Sequence, residues 1–292
     1  MSALSPRLAA AIGPDHVLPA ARIPALLAET GLADTDALML ALLPLAQNLA
    51  RPPISNFRVG AVGLTAETGD VIFGANVEFP GAGSGDTIHA EQFLFTRAYH
   101  RGVTLTRIAV SARPCGHCRQ FMNEFSGNES LLILDPGGDR QSLSELLPFR
   151  FGPADLGEAP AGPGRGQTVV ITEDEGTEAD PDMLKALIAG GARAHTPYSG
   201  CPSALVLKLA DGQIITGSAI ENAAYNPGMP PAQAALINLI AGGWDYDQID
   251  AAILGAVPGA GFDHFAGTAK LLSIIAPNAL LETLPWRVAQ SS

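Results

Sequence analysis

The sequence predicts an α/β protein with a three-layer plan, in which a mixed sheet lies between helices on both faces. This architecture is predicted to occur in two successive domains, which follow a small N-terminal helical segment. Two β-rich runs separated by a turn are followed by alternating helical and strand segments, an order typical of a mixed sheet. The C-terminal part repeats the pattern of this first hairpin. With 292 residues, the chain is long enough for two domains with separate cores.

The first elements are predicted to be helical. Residues 1–35 contain Pro-marked breaks and are expected to form short helices with polar joints. Asp34 is a candidate N-cap for a longer helix that runs through apolar positions to Leu49 and that Pro44 could kink. The run 51–53, Arg-Pro-Pro, ends this helix.

The region 36–150 is predicted to contain the first sheet. Its hairpin has strands at 57–64 and 71–75, and a glycine-rich loop then leads into a helix that begins near His89. A strand, a helix opened by Pro114 and a further strand follow. Both strand-to-helix transitions carry metal-binding side chains, and open α/β sheets usually bind ligands at such positions.

Two short segments hold the residues with metal-binding side chains. Cys115 and Cys118 are three apart, so a helix opened by Pro114 would present both sulfurs on one face of its first turn. The positive end of a helix also favours thiolates. Together with His89 they form a Cys₂His set, which leaves one tetrahedral position for water, as in catalytic zinc sites. We therefore predict one Zn²⁺ per chain, with Glu91 as the catalytic acid–base group.

Three other interpretations of these residues are open at this point. A thioredoxin-like Cys-x-x-Cys pair would need neither His89 nor Glu91. A structural zinc site would need a fourth ligand, and His117 is the candidate, although a residue between the two cysteines points away from their shared face. Glu91 taken alone would be a solvated helix residue. Its position two residues after His89 favours the acid–base role.

The wider sequence resembles a known family. The segments FRVGA (57–61), FGANVEF (73–79), HAEQ (89–92) and PCGHCRQFMNE (114–124) together resemble cytidine deaminase, in its long-chain, two-domain homodimeric form. His-x-Glu followed by Pro-Cys-x-x-Cys is the signature of the zinc-dependent nucleobase deaminases as a whole. The resemblance implies a duplicated cytidine-deaminase-like fold. It also implies a hydrolase that converts cytidine and 2′-deoxycytidine to the uridine nucleosides and ammonia, in pyrimidine salvage.

The same resemblance implies roles for further residues. Asn76 and Glu78 would hydrogen-bond the ribose hydroxyls, and Phe57 would stack on the pyrimidine ring. The backbone of Ala90 and Cys115 would hold the edge of the base. For Phe57 the alternative is an ordinary core residue of a strand, since aromatic residues in strands are mostly buried.

Residues 151–185 differ in character from the regions around them. Gly and Pro are frequent and eight acidic residues stand against two basic ones, so we expect an exposed acidic connector with a short strand at 168–171. Phe151 begins a segment resembling the one with which dimeric cytidine deaminases reach the partner's substrate pocket. An aromatic residue with little local core suggests contact with another surface. We therefore expect a homodimer with shared active sites; packing of Phe151 on its own domain is the alternative.

Residues 186–292 are predicted to be a degenerate copy of the first domain. The segment 197–204 echoes 53–60. Where the first copy has His89-Ala90-Glu91, the second has Pro231-Ala232-Gln233, and it has no cysteine pair. Because a zinc site cannot be built without these ligands, this copy is expected to serve as a non-catalytic scaffold or interface.

Charge and composition limit the partners of the chain. Asp and Glu total 29 against 17 Lys and Arg, a net charge of −12 without any basic stripe, so we expect no nucleic-acid partner. No run of 18 apolar residues occurs and the start lacks a secretory pattern, so we expect no membrane association. Three cysteines, two of them assigned to metal, agree with a cytoplasmic protein.

Two alternative functions remain. One is a deaminase of another cytosine-containing substrate, such as deoxycytidylate or a base in RNA. The acidic charge and the carboxylate of Glu78 count against a substrate that bears phosphate. The other is a non-catalytic, zinc-stabilised binding protein, against which the intact spacing of His89 and Glu91 counts.

Overall fold

The computed structural model describes residues 4–164, 166–172 and 180–289. Within it the chain divides into two compact units. The first unit comprises Met1–Glu78, Thr87–Pro163 and Ala241–Gly243, and the second comprises Phe79–Asp86, Gly164–Ile240 and Trp244–Ser292. The four sequence segments proposed above are a finer division and stay a prediction. Residues 165 and 173–179 of the predicted connector lie outside the described residues.

The first unit is built on one mixed sheet. Its strand order is β1-β3-β2-β4-β5-β6, with β4 and β5 parallel and the other neighbours antiparallel. The strands are β1 (Val17–Leu18), β2 (Gly60–Thr65), β3 (Val71–Ala75), β4 (Leu105–Val110), β5 (Leu132–Leu134) and β6 (Arg140–Ser142). The predicted hairpin is therefore present as β2 and β3, in the middle of the sheet.

Helices cover both faces of this sheet. They are α1 (Leu4–Ala10), α2 (Ile23–Thr30), α3 (Thr35–Gln47), α4 (Ala90–His100), α5 (Gly116–Met122) and α6 (Leu143–Leu146). Gly60 pairs with Ala75 across the hairpin, and Gly74 pairs with Ala61 in the next position. Because side chains alternate between faces along a strand, a side chain at Gly60 and one at Gly74 would lie on opposite faces of the sheet. A Cβ on Gly60 would lie 2.9 Å from the carbonyl oxygen of Leu43 in α3, and one on Gly74 would lie 2.6 Å from that of Ala90 in α4. Glycine at each position therefore lets one helix approach each face.

Helix α3 forms as its sequence predicts. Asp34 is the N-cap, and its carboxylate accepts a hydrogen bond from the backbone N–H of Ala37 at 2.8 Å. Pro44 lies inside the helix. The buried side chains Leu38 and Leu42 of α3 pack in one core with residues of the sheet, among them Phe73. This packing holds the hairpin that carries the predicted sugar-binding residues.

The second unit repeats the plan. Its strand order is β7-β11-β10-β8-β9, with β10 and β11 parallel. The strands are β7 (Val169–Ile171), β8 (Ala204–Leu209), β9 (Ile214–Ser218), β10 (Ile249–Ala256) and β11 (Leu280–Val288), and the helices are α7 (Pro181–Arg193), α8 (Pro231–Ala241) and α9 (Phe265–Ile275). A Cβ on Gly217 would lie 2.4 Å from the carbonyl oxygen of Pro231 in α8, whereas Gly190 of α7 meets Ala204 and Thr216 from the other face. A duplicated mixed sheet with helices on both faces is therefore confirmed.

Several predicted boundaries were wrong. The first hairpin strand begins at Gly60 and not at Phe57, and the helix after Pro114 begins at Gly116. The N-terminal segment contains the predicted short helices, but it also contributes the edge strand β1, which pairs with β3. The strand expected at 168–171 is β7, and it pairs with β11 of the second unit. The N-terminal edge strand was missed because its two residues carry no periodic signal.

Candidate active site

His89 is held at the entrance to α4 by its neighbours along the chain. It is the N-cap residue, with extended backbone, and its N–H donates to the side-chain oxygen of Gln92 at 3.0 Å. Directly before it, Ile88 exchanges two backbone hydrogen bonds with Val77, at 2.8 and 2.9 Å. The segment after β3 is therefore fixed to the start of α4, which fixes the imidazole of His89 at the edge of the sheet.

The three predicted metal ligands lie together. The sulfur atoms of Cys115 and Cys118 are 3.6 Å apart, and His89 Nδ1 lies 3.5 Å and 3.2 Å from them, respectively. Cys115 is the N-cap of α5 and Cys118 lies in its first turn, so the pair spans the helix start instead of lying wholly within the helix as predicted. Among the described residues, these three side chains form the cluster that could hold a metal ion.

The separations within the cluster match a tetrahedral zinc site. Zn–S bonds of about 2.3 Å and Zn–N bonds of about 2.0 Å at tetrahedral angles place two sulfurs about 3.8 Å apart, and a sulfur and a nitrogen about 3.5 Å apart. The three observed separations, 3.6, 3.5 and 3.2 Å, lie close to these values. Soft sulfur and imidazole donors are also the ligands that Zn²⁺ prefers. The residues therefore fit the metal that the sequence predicts.

The thiol groups are electrostatically coupled. A hydrogen bond from Cys118, opposed by burial, lowers the pKa of Cys115 to about 4. The same hydrogen bond, together with burial, raises the pKa of Cys118 above its usual value. One thiolate and one thiol result, and because zinc binds thiolates, its binding would release the remaining proton.

Glu91 is buried beside this cluster. Its side chain lies in the first turn of α4, the residue is 3% exposed, and Oε2 accepts a hydrogen bond from Cys118 Sγ at 3.3 Å. Burial is the main cause that raises the pKa of Glu91 above the ordinary value of a carboxyl group. A buried carboxyl group next to metal-binding side chains excludes the interpretation of Glu91 as a solvated helix residue.

A cavity of about 290 Å³ opens over the cluster. This size is close to the lower end of that of small-molecule sites. Its lining includes seven of the residues that the sequence singles out, namely Phe57, Asn76, Glu78, His89, Ala90, Glu91 and Cys115. Metal-binding, acid–base and predicted sugar-binding groups thus share one cavity.

Phe57 stands before β2 with its side chain 61% exposed, so it is not a strand core residue. Its backbone is fixed at both ends. The N–H of Phe57 donates to Ser55 Oγ at 3.0 Å, and its carbonyl accepts from Asn76 Nδ2 at 2.9 Å. Asn76 also accepts from the N–H of Val59 at 2.8 Å. Asn76 therefore clamps the segment that presents the aromatic ring to the cavity.

Glu78 lines the same cavity and is held by the loop that precedes Phe57. Its Oε2 accepts hydrogen bonds from the N–H groups of Ile54 and Ser55 at 2.8 and 2.9 Å, and Oε1 accepts from Ser55 Oγ at 2.5 Å. Burial raises the pKa of Glu78, but the hydrogen bonds from Ser55 and Ile54 together lower it by more. The pKa of Glu78 is therefore below the ordinary value of a glutamate side chain. Glu78 is therefore an ionised acceptor that suits hydroxyl donors.

Two predicted residues lie away from the cluster. Within the described part of the chain, the side chain of Phe151 is 47% exposed and is not part of the cavity lining, while its carbonyl accepts hydrogen bonds from Gln120 and Asn123. His117 contacts the ring of His89 edge-on, with ring centroids 5.9 Å apart, and does not belong to the metal-binding cluster. A fourth protein ligand from His117 is therefore excluded in this geometry.

Among the lining residues for which the sequence predicted no role, two carry polar side chains that hold other groups. Ser55 links Phe57 to Glu78, and it could have been found because it recurs as Ser199 in the echoed segment. Arg113 lies at the cavity with an exposed side chain, and Asp135 holds its guanidinium at 2.9 Å. No local pattern links Arg113 to a carboxylate 22 positions away.

The described residues of the second unit contain no such cluster, and one predicted correspondence was wrong. Ile220 exchanges backbone hydrogen bonds with Met229 as Val77 does with Ile88, so Pro230, and not Pro231, stands where the first unit has His89. The glycine contacts agree, since Gly74 meets the carbonyl oxygen of Ala90 and Gly217 meets that of Pro231. Glu91 is therefore matched by Ala232, and both the metal ligand and the acid–base group are replaced by apolar residues.

A His-x-Glu segment at one helix start and a Cys-x-x-Cys pair at the next, meeting at the edge of a mixed sheet, define the class of zinc-dependent deaminases. Two family models, both described as "Cytidine and deoxycytidylate deaminase zinc-binding region", match residues 33–133 and 143–266. The cytidine deaminase of Vibrio atlanticus (strain LGP32) is 39% identical over 265 residues, which cover 90% of this chain and 88% of that protein. The chain belongs to the cytidine and deoxycytidylate deaminase family.

Solved structures of shorter deaminases match part of the chain. The crystal structure of cytidine deaminase from Mycobacterium tuberculosis is 33% identical, covers 41% of this chain and 98% of its own, and has a TM-score of 0.36. That from Burkholderia pseudomallei is 31% identical, covers 39% and 97%, and has a TM-score of 0.35. Among the described residues, no helix has the length and apolarity needed to span a bilayer.

Proposed function

We propose that the chain catalyses the hydrolytic deamination of cytidine and 2′-deoxycytidine to uridine and 2′-deoxyuridine, with release of ammonia. The main support for this proposal is that the Cys₂His cluster, Glu91 and the predicted sugar-binding residues meet at one and the same cavity of about 290 Å³. The family to which the chain belongs supports the same reaction, and the similar Vibrio protein is named a cytidine deaminase. The uridine products suit a role in pyrimidine salvage.

In this proposal His89, Cys115 and Cys118 are the ligands of one Zn²⁺. When bound, the metal supplies a water of lowered pKa, near about 7, at its fourth position. The three side chains come from the starts of α4 and α5, so their separations are set by α4, which packs on β3, and by α5, which packs on α4. The two helix starts thus bring the three donors together.

Glu91 moves the protons. Its carboxylate lies in the first turn of α4, beside the ligand cluster and at the cavity wall, where it can take a proton from water and deliver it to N3 of the cytosine ring. The same group then takes the second water proton from the hydroxyl now bonded to C4 and delivers it to the leaving amine, so ammonia departs as the C4 carbonyl forms. One carboxylate serves both transfers because it begins and ends each turnover in the same protonation state, and its burial keeps bulk water from exchanging with it.

The remaining residues orient the nucleoside. The exposed ring of Phe57 stacks on the pyrimidine, and the backbone at Ala90 and Cys115 holds the edge of the base. Glu78 accepts a hydrogen bond from a ribose hydroxyl through Oε1, whose single hydrogen-bond partner among the described residues is Ser55. Asn76 contributes the second Nδ2 hydrogen, since the first is used by Phe57.

The working form in this proposal is a cytoplasmic homodimer in which Phe151 of each chain completes the partner's site. An aromatic side chain that is 47% exposed and outside its own cavity supports this assignment. Mixing inactive Glu91→Gln chains with Phe151→Ala chains under exchange conditions should restore activity, because a hybrid dimer contains one intact site. A fully active Phe151→Ala protein, or an active monomer in sedimentation, would contradict the shared-site dimer.

The three free cysteines are in keeping with a reducing compartment such as the cytoplasm.

One observation favours a second candidate, a deaminase of the nucleotide deoxycytidylate. Arg113 lines the cavity and could pair with a phosphate. Glu78 opposes this because an ionised carboxylate at the same cavity repels phosphate. Comparing kcat/KM for 2′-deoxycytidine and its 5′-monophosphate decides between them, and we expect the nucleoside to be preferred.

The proposed chemistry is tested by two substitutions assayed with and without a chelator. Glu91→Gln should keep about one zinc per chain and lose a factor on the order of 10²–10⁴ in rate, because the proton shuttle is removed and the ligands are not. Cys115→Ala should lower the zinc content itself. Near-normal activity of Glu91→Gln, or full zinc content in Cys115→Ala, would show that the roles are wrongly assigned. A wild-type protein that keeps its zinc in the presence of the chelator and has no deaminase activity would indicate a non-catalytic binding protein.

A further inference from the structure

The hydroxyl group of Ser55 connects two residues that line the cavity, Glu78 and Phe57. It donates to Glu78 Oε1 at 2.5 Å and accepts from the N–H of Phe57 at 3.0 Å. Ser55 itself is exposed and belongs to no helix or strand. One exposed hydroxyl thus joins the carboxylate proposed to bind the sugar to the backbone of the residue proposed to stack on the base.

The backbone around Phe57 depends on such hydrogen bonds because packing does little to hold it. The side chain of Phe57 is 61% exposed, and Asn56 before it has a left-handed backbone with φ of 56°. A non-glycine residue in this conformation persists only where its surroundings fix it. Ser55 fixes the N–H of Phe57 on one side and Asn76 fixes its carbonyl on the other.

The orientation of Glu78 depends on the same hydroxyl. Two backbone N–H groups, those of Ile54 and Ser55, hold Oε2, and the Ser55 hydroxyl holds Oε1. Without the hydroxyl, Oε1 would keep its charge and lose the partner that fixes the plane of the carboxylate. Its remaining acceptor positions could then no longer be presented to a ligand in one direction.

We infer that Ser55 is a positioning residue for the nucleoside, which sets the Phe57 ring and the Glu78 carboxylate at a fixed separation. The inference rests on the proposed deamination of cytidine. Ser55 does not reach the metal ligands or Glu91 in the described hydrogen-bond network, so its contribution lies in binding the nucleoside and not in the proton-transfer steps.

The second unit offers a comparison within the same chain. Ser199 Oγ donates to Glu221 Oε1 and accepts from the N–H of Cys201 at 3.1 Å, and Oε2 of Glu221 accepts from the N–H of Ser199 at 3.1 Å. Gly200 occupies the left-handed position, with φ of 66°. The Ser–Glu contact therefore recurs in a unit whose metal ligands are gone, so its contribution to loop stability is independent of catalysis. Ser199→Ala is consequently a matched control for Ser55→Ala.

The experiment measures kcat, KM and zinc content for Ser55→Ala, Ser55→Thr and Ser199→Ala. Ser55→Ala keeps both backbone hydrogen bonds to Glu78, and we expect about a tenfold rise in KM for cytidine with kcat within about threefold of wild type. Zinc content should not change. Ser55→Thr, which keeps the hydroxyl, should restore KM, and Ser199→Ala should leave kcat and KM at wild-type values.

A double-substitution cycle shows whether Ser55 acts through its neighbours. In a Phe57→Ala background, Ser55→Ala should raise KM by clearly less than tenfold, because one of the two groups it positions is gone. Ser55→Ala should also narrow the difference in KM between cytidine and an analogue that lacks a ribose hydroxyl. Loop stability alone would produce neither effect.

The outcomes separate this inference from the proposed function. A wild-type protein with bound zinc and no cytidine deaminase activity would overturn the proposed function itself. An active wild type in which Ser55→Ala and Ser199→Ala both keep wild-type KM would overturn only the positioning role. Equal rises in KM for these two variants would also overturn it, since the effect would then not be local to the cavity.

Discussion

Gly74 sets the distance between the sheet and the helix that carries His89 and Glu91. A Cβ at this position would lie 2.6 Å from the carbonyl oxygen of Ala90 and 2.8 Å from the N atom of Leu94. Both are backbone atoms of α4, so rotation of a side chain cannot relieve the contact. Ordinary van der Waals contact begins at 3.4 Å, so Gly74→Ala requires a shift of 0.8 Å, the difference between 3.4 and 2.6 Å.

The expected loss follows from this shift. Overpacking of this kind costs about 1–3 kcal/mol of folding free energy. A metal site tolerates changes of only about 0.2 Å in its ligand distances, so moving His89 away from the two cysteines should weaken zinc binding. A misplacement of about 1 Å near reacting groups costs on the order of 10²-fold in rate. We therefore expect Gly74→Ala to lower both zinc affinity and kcat/KM, the latter by about 10²-fold.

The assay is zinc content after dialysis against graded concentrations of a competing chelator, with kcat/KM for cytidine measured on the fully loaded protein. Gly217→Ala is the control, because its Cβ would lie 2.0 Å from the N atom of Ala235 in α8, an even closer contact in the unit without the cluster. This variant should lose stability and keep the zinc affinity of the wild type. Wild-type zinc affinity and kcat/KM in Gly74→Ala would refute the reasoning, as would an equal loss of zinc in Gly217→Ala.

Three further predictions concern stability. Gly255→Ala should lower the thermal midpoint, with a cost of about 1–3 kcal/mol, because its Cβ would lie 2.3 Å from the buried ring of Trp286; an unchanged midpoint would contradict it. Arg97→Met should destabilise the chain by about 1–3 kcal/mol in chemical denaturation, because the guanidinium donates to the backbone carbonyls of Asp15, His16 and Phe73; equal stability would exclude this role. Hydrogen bonds from Lys208 and from the N–H of Asp182 lower the pKa of Asp180 in the folded protein. The ionised carboxylate therefore stabilises the fold fully above its unfolded pKa of about 3.9. This stabilisation is lost as the pH falls through the lower pKa of the folded protein. The difference in thermal midpoint between wild type and Asp180→Asn should therefore shrink in that range, and a constant difference would refute the assignment.

The sequence predicted the grouping of His89, Cys115 and Cys118 more accurately than the boundaries of the strands around them. Ligand spacing is local: Cys118 follows Cys115 by three positions and Glu91 follows His89 by two, which is enough to place each pair near one helix start. The start of β2 depends on distant contacts. The β-prone run from Phe57 predicted a strand, yet Asn76, 19 positions away, takes up the backbone groups of that run with its side chain. Alternation along a segment cannot show such a contact.

The mismatch at Pro231 has a similar cause. Aligned by letters, Ala-Gln of the second copy matches Ala-Glu of the first. In the structure the two copies correspond through the close approach of a strand glycine to a helix start, Gly74 to Ala90 and Gly217 to Pro231. The position of a helix against a sheet is fixed by this contact, and loop length between strand and helix can change without affecting it.

Comparison of the two copies also distinguishes contacts that stabilise the loop before β2 and β8 from contacts expected to serve nucleoside binding. The second unit keeps the Ser–Glu contact and the left-handed residue after it, but has Ala219 in place of Asn76 and Cys201 in place of Phe57. The backbone N–H of Ala219 still donates to the carbonyl of Ser203, directly before β8, so the loop closes without an asparagine side chain. The clamp of Asn76 is thus missing from the copy that has Cys201 in place of Phe57, as expected if its role in the first unit is to hold Phe57 towards the cavity.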